Sequence, residues 1–425
     1  MKIKVLKARE ILDSKSVPTI ETYVMLEDGS EGIGAVPSGA STGDNEVLEL
    51  RDGDTNRYGG KGVLTAVEKV NIDIADAVIG KEFNSQREFD QFLIELDGTE
   101  QKSSLGGNSI LSVSMAFCRA SAKSKGLQLY EYFALQYWGD NYDFKKLEMP
   151  QPMILIMEGG AHGSWSTDFQ EYMIVPKKDK FPSFSEMLRC GSEVFHAVHD
   201  ILHGKKYATG VGFEGAYSPN QMGSNVEAFE IMMQGIEDAG YMPDEEVVLA
   251  LDMAASEFFD KENHVYKLKK EKKVLDTDEW LELQEEWFTN YPIWSLEDGM
   301  DQEDWEGWVK TMGRFGTDHQ VVGDDLLTTN VKRIQKGIEL GAMNSVLIKL
   351  NQIGTVTETL DAIKLAENSG FESIISHRGG ETNDDMIADL VVGTAATQSK
   401  FGGPDRGERL AKYNRLLEIE VGLRE

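Results

Sequence analysis

Cysteine is scarce: Cys118 and Cys190 are the only two in 425 residues, both in apolar, helix-like settings (SMAFCRASA and EMLRCGSEVF). They read as buried free thiols rather than as a disulfide framework. No apolar stretch approaches the roughly 20 residues of a membrane span, which argues against a membrane protein. Positive charge is also short. Forty-three Lys and Arg against 73 Asp and Glu leave a net charge of −30, so nucleic acid and anionic membranes lack the clustered cations they would need. There is no low-complexity tract. The first residues, MKIKVLKAREIL, alternate polar with apolar positions where a signal peptide would build an apolar core. They read as a first strand, and a cytoplasmic protein is expected.

What is present is a regular beat. Five apolar runs, VVLALD (247–252), PIWSLED (292–298), QVVGDD (320–325), SVLIKLN (345–351) and SIISH (373–377), bring Asp252, Glu297, Asp324, Lys349 and His377 to their ends. The intervals are 45, 27, 25 and 28 residues. Each run is short, apolar on both faces and followed by a helix-length segment, as in buried parallel strands. In a (β/α)8 barrel the strand C-termini open onto one mouth, so residues far apart in sequence converge there. Three carboxylates and a lysine converging suggest a metal with a base beside it, and hard oxygen ligands suit Mg²⁺.

The N-terminal third is organised differently. Residues 3–36 alternate like antiparallel strands, with the turn signal Glu27-Asp28-Gly29, and helical patterns follow from about 62 to 136. VLTAVEKVNIDIADAVIG (63–80) carries apolar residues at helical spacing, and NSILSVSMAFCRASAKSKG (108–126) opens and closes as a capped helix. The polar stretch 137–152 is the linker candidate, giving an α+β domain at 1–140 and a barrel domain at 141–425. The basic run KLKKEKKVLD (267–276) reads as a hairpin or helix surface. HAVHDILH sets His196, His199 and His203 at helical spacing, most simply on a helix surface.

Taken together, AREILDS, VPSGASTG, ELRDGD, QEYMI, LDMAASEF, SLEDGMDQEDW, GDDLLTTN, IKLNQIGTVTE, SHRGGET and GERLAKYNRLLEIE resemble the enolase family in order and nearly in spacing, over essentially the whole chain. The resemblance implies an α/β fold: a TIM-type barrel of order ββαα(βα)6 behind an N-terminal α+β lid domain, in a homodimer or octamer. It implies Mg²⁺-dependent, reversible dehydration of 2-phosphoglycerate to phosphoenolpyruvate, with two Mg²⁺ per site, the second arriving with substrate. By matching position, Asp252, Glu297 and Asp324 become the metal ligands, with Ser41 of the lid loop on the second ion. Lys349 becomes the base, its pKa expected to fall through burial beside Mg²⁺ and Lys400. Glu214 becomes the general acid with Glu171 beside it, and two neighbouring carboxyls favour retention of a proton. His162, Gln170, Glu171, His377, Arg378 and Lys400 become contacts to a small phosphorylated carboxylate, Arg378 taking the phosphate.

The chain departs from that pattern in places. Lys15-Ser16-Val17 stands where the family has Arg-Gly-Asn, and Glu158 stands where it has Asn, with Trp165 following after His162. Phe213 replaces an Asp beside the acid, Gly379 replaces a Ser, and Gly299 replaces a Pro. The expected metal ligands, base, acid and Lys400 all remain. A working dehydratase with an altered pocket is therefore expected, acting on 2-phosphoglycerate. The alternative is a phosphoryl-modified analogue, of the kind that yields carboxyphosphonoenolpyruvate in phosphonate biosynthesis. A non-catalytic binding protein has no direct support in the residues.

Overall fold

The computed structural model describes residues 1–39 and 45–424. Ser41 therefore lies outside the described residues. Strand β1 (Ile3–Leu12) pairs antiparallel with β2 (Pro18–Leu26), and β2 with β3 (Glu31–Ala35), the last turn using Gly29 at φ 89°. Helix Gly107–Ser124 lies on this sheet almost entirely buried. A Cβ on Gly32 would stand 2.0 Å from the Ala116 carbonyl oxygen, and one on Gly34 2.5 Å from that of Ser112. Glycine at both positions is what lets backbone rest on backbone. The helix expected over 63–80 forms, but with a wide π turn at Lys69–Ile74, in which Val70 and Ile74 are buried.

The second domain is a closed barrel. Strands β4 (Gln151–Glu158), β5 (Glu171–Pro176) and β6 (Val247–Asp252) come first. An excursion of three short antiparallel strands follows, β7 (Phe259–Asp260), β8 (Val265–Leu268) and β9 (Lys273–Leu275), which turns the basic run into a hairpin. Then come β10 (Ile293–Glu297), β11 (Gln320–Gly323), β12 (Ser345–Ile348), β13 (Glu372–Ser376) and β14 (Gln398–Lys400). The closed order is β10-β11-β12-β13-β14-β4-β5-β6, and only β5 runs antiparallel to its neighbours. Two helices, Phe184–Gly204 and Asn225–Asp238, follow β5, and one major helix follows each of the last six barrel strands. This is the ββαα(βα)6 order.

Side-chain alternation explains how the barrel aims its charges. Met153, Leu155, Met173, Val175, Val248, Ala250, Val322, Leu347 and Ile374 fill the interior, while alternating residues such as Tyr172, Leu249, Leu251, Val346 and Ile375 join the outer core under the helices. Continuing the period of two from Ala250, Val322 and Leu347 turns Asp252, Asp324 and Lys349 inward. On β5 the same step runs backwards from Met173 to Glu171, because that strand is reversed.

The N-terminal domain grips the rim of this mouth. Ser38 exchanges backbone hydrogen bonds with Gly380 (2.7 and 2.9 Å), and Ser14 donates its amide to the Glu381 carbonyl at 2.7 Å. Among the described residues, no helix is long and apolar enough to cross a membrane.

Candidate active site

The sheet register lines up four carboxylates across neighbouring strands: Glu158 faces Glu171, Glu171 faces Asp252, and Asp252 faces Glu297. All four are buried. Lys400, at the end of β14, extends its ammonium into this row. It stands 2.6 Å from Glu297 Oε2, 3.1 Å from Glu171 Oε2 and 3.3 Å from Asp252 Oδ2. Burial opposes that charge, but the three carboxylates outweigh it and hold the Lys400 ammonium well above the usual lysine range. Gln170 donates from Nε2 to Asp252 Oδ2 at 3.3 Å.

Lys349 lies on the next sector of the ring, ion-paired with Asp324, whose other oxygen accepts from Gln352 Nε2 at 2.8 Å. The expected fall in the Lys349 pKa does not occur in this arrangement. Burial lowers it, yet Asp324 opposite raises it further, and the ammonium ends above its ordinary value.

A third group flanks the row. Glu214 has His162 Nδ1 3.3 Å from one oxygen and His377 Nε2 3.4 Å from the other, while His162 is 4.0 Å from Glu171. Arg409 donates to His377 Nδ1 at 2.6 Å. An arginine cannot accept, so the neutral ring carries its proton on Nε2, facing Glu214. Burial, with Arg409 adding to it, outweighs the pull of Glu214 and pushes His377 down to about 3, leaving it neutral at pH 7. For Glu214, burial acts upward, while charge on His162 and His377 would hold the carboxyl well below its usual range. With His377 neutral, its share of that pull is absent at neutral pH. Its neighbours retain protons more strongly. Burial pushes Glu171 well up, and burial followed by Glu214 raises Glu158 to about 8. The cluster of Glu158, Glu171 and Glu214 therefore holds a proton at neutral pH.

Arg378 grips Glu46 of the lid in two-pronged fashion, at 3.0 and 3.1 Å, and also donates to Asn351 Oδ1 at 3.1 Å. That is also the geometry in which a guanidinium holds two phosphate oxygens. The altered residues sit around these groups. Phe213 leaves 42 % of its surface exposed, under Lys15 Nζ at 5.9 Å, so its ring lies outside the buried charges. Trp165, at φ 59°, stacks under Lys269 of the excursion at 4.6 Å. Gly379 offers its carbonyl to Arg409 Nη2 at 2.9 Å.

Among the described residues, the acid and histidine sets whose ligand atoms lie within 4.8 Å of one another are His162–Glu171–Glu214 and Asp298–Asp324–Asp325. The trio Asp252, Glu297 and Asp324 shares one mouth but is not one of these sets; Lys400 contacts Asp252 and Glu297, and Lys349 contacts Asp324. His196, His199 and His203 belong to neither set. The trio nevertheless fits a divalent cation. Among the described residues Glu297 Oε1 is buried without a hydrogen-bond partner, and burial, then Asp252, drive this carboxyl's pKa well up. Such strain is what a hard cation among oxygen donors relieves. Sequence reasoning missed Gln352, Glu158 and Arg409 as working parts. Arg409 lies within a quoted motif, but its full burial has no signal in a single sequence.

A closed barrel with carboxylates, two lysines and a proton-holding cluster at its mouth belongs to the class of metal-assisted lyases. Residues 3–133 match the family model "Enolase, N-terminal domain", and residues 146–425 match "Enolase, C-terminal TIM barrel domain". The chain belongs to the enolase family, and its function is of the Mg²⁺-dependent lyase kind.

Proposed function

We propose that this protein reversibly dehydrates 2-phospho-D-glycerate to phosphoenolpyruvate. The observation carrying the proposal is the opposition of two cationic lysines, Lys349 and Lys400, to one ring of buried carboxylates with the Glu214 cluster beside it. Removing a proton next to a carboxylate produces a doubly charged aci-carboxylate, which is out of reach without concentrated counter-charge. Lys400, held as a cation, meets the substrate carboxylate, and Arg378 exchanges the Glu46 carboxylate for the phosphate. His162 and Gln170 border the same space.

Lys349 takes the C2 proton. Asp324 stores it as an ammonium, so the neutral amine becomes accessible once that carboxylate serves another cation. Asp252, Glu297 and Asp324 would hold Mg²⁺, with Ser41 on a second ion, and the bound metal supplies Lewis-acid charge opposite the substrate carboxylate. The C2 electron pair then forms the double bond, the C3–O bond breaks, and a proton from the Glu214–Glu171 cluster leaves with the hydroxyl as water.

Incubating 2-phosphoglycerate with protein and Mg²⁺ in D₂O separates these roles. Deuterium entering C2 in Glu214→Gln without water loss supports base and acid as assigned; loss of both steps together contradicts the assignment. A second substrate, a phosphoryl-extended glycerate, is favoured by one observation: Trp165 sits in a left-handed conformation costly for an aromatic residue, three positions from His162. Turnover of the phosphonoformyl ester of glycerate in preference to 2-phosphoglycerate would select that reading.

A further inference from the structure

Glu158 ends β4 in full burial and was given no role by its sequence. Its Oε1 accepts the Ala216 amide at 3.0 Å and lies 3.3 Å from the Glu214 amide, while Oε2 accepts the Glu214 amide at 3.1 Å. The loop's carbonyls are held from the opposite side: Arg406 Nη1 donates to Gly212 O at 3.0 Å, and Arg409 Nη2 to Phe213 O at 3.0 Å. Between these grips residues 212–216 have little freedom, and the side chain they present is Glu214. Both neighbouring loops are shaped around Glu158. A Cβ on Gly212 would stand 2.5 Å from the Glu158 carboxyl carbon, and one on Gly163 2.4 Å from its carbonyl oxygen.

The substitutions add a second, independent line. Against the family pattern, the chain loses a carboxylate at Phe213, directly before Glu214, and gains one at Glu158 in place of Asn. Phe213 itself turns to solvent, while Glu158 faces the Glu214 backbone. The carboxyl group beside the donor has moved from the loop onto the barrel wall.

We propose that Glu158 is the positioning residue of the proton donor, fixing the Glu214 loop through its backbone amides and supplying from β4 the carboxyl group that position 213 lacks. The proposal rests on Glu214 being the donor. Glu158→Gln keeps the volume but sets an amide donor against backbone donors, so it breaks part of the clamp without opening a cavity.

Two readouts test the proposal. In the Mg²⁺-loaded protein without substrate, hydrogen exchange of the 212–217 amides in Glu158→Gln is expected to quicken about tenfold while β10 and β12 stay unchanged. With 2-phosphoglycerate, kcat for water loss is expected to fall about tenfold, with KM and C2 deuterium exchange within about threefold of wild type. The double variant Glu158→Asn with Phe213→Asp, which restores the family's arrangement, is expected to regain water loss to within about threefold. Unchanged amide exchange overturns the proposal, as does an equal loss of C2 exchange and water loss, or failure of the double variant to recover. If wild type neither exchanges C2 nor eliminates water, the substrate reading falls, and amide exchange alone decides whether Glu158 clamps the loop.

Discussion

Two sets of paired charges in this molecule, one part-buried and one buried, follow different rules. At the seam between lid and barrel, Arg119 meets Asp384 through two bonds of 2.7 and 2.8 Å, and Asp384 also accepts the amides of Ala35 and Met386. Lys412 meets Glu381 at 2.8 Å. Burial pushes the Asp384 carboxyl up, but Arg119 more than offsets it and the pKa ends below its ordinary value, as in a satisfied structural pair. At the mouth, Glu297 and Glu171 remain driven well up despite Lys400. The seam pair completes its partners within the chain; Glu297 and Glu171 at the mouth leave electrostatic work for something that binds. The contrast separates carboxylates that hold the domains together from carboxylates that do chemistry.

Substitutions should split along the same line. The largest expected effect is Lys349→Ala, which is expected to cut C2 exchange about 10⁴-fold, measured by deuterium incorporation. Persistent exchange would remove Lys349 from the base role. Glu214→Gln is expected to slow water loss about 10²-fold while exchange continues. At the seam, Asp384→Ala is expected to cost about 1–3 kcal/mol in denaturant unfolding, because it leaves the part-buried Arg119 with one remaining paired carboxylate, Asp385. Mg²⁺ at about 100 times its Kd is expected to stabilise the wild type by about 2.7 kcal/mol, and Glu297→Gln to lose most of that gain; equal stabilisation of both would contradict the metal assignment. The smallest effect is Gly379→Ser, expected to improve turnover of 2-phosphoglycerate about two- to threefold if a missing hydroxyl limits phosphate binding.

The barrel was legible where its strands repeat. Runs ending at Asp252, Glu297, Asp324 and Lys349 are short and apolar, so strand ends and charges coincide, and alternation aims the side chains. The SIISH run follows the same rule: His377, like Asp324 and Lys349, stands one residue beyond its strand, and Arg409 also holds its ring. The antiparallel start at β4 and β5 came through family resemblance, because spacing alone reveals only the later half. The state of Lys349 was not legible at all. It depends on the separation between its ammonium and Asp324, set by the packing of two strands 25 residues apart. Glu158 escaped for the same reason, since the amides it binds lie 56 and 58 residues away.

The most direct measurement is phosphoenolpyruvate formation from 2-phosphoglycerate, followed by ultraviolet absorbance with excess Mg²⁺, after chelation, and in Lys349→Ala. The expected result is a kcat/KM of about 10⁴ M⁻¹s⁻¹ or more that disappears with chelator, returns with Mg²⁺ and is absent in the variant. A folded, Mg²⁺-binding wild type that forms no phosphoenolpyruvate would contradict the account.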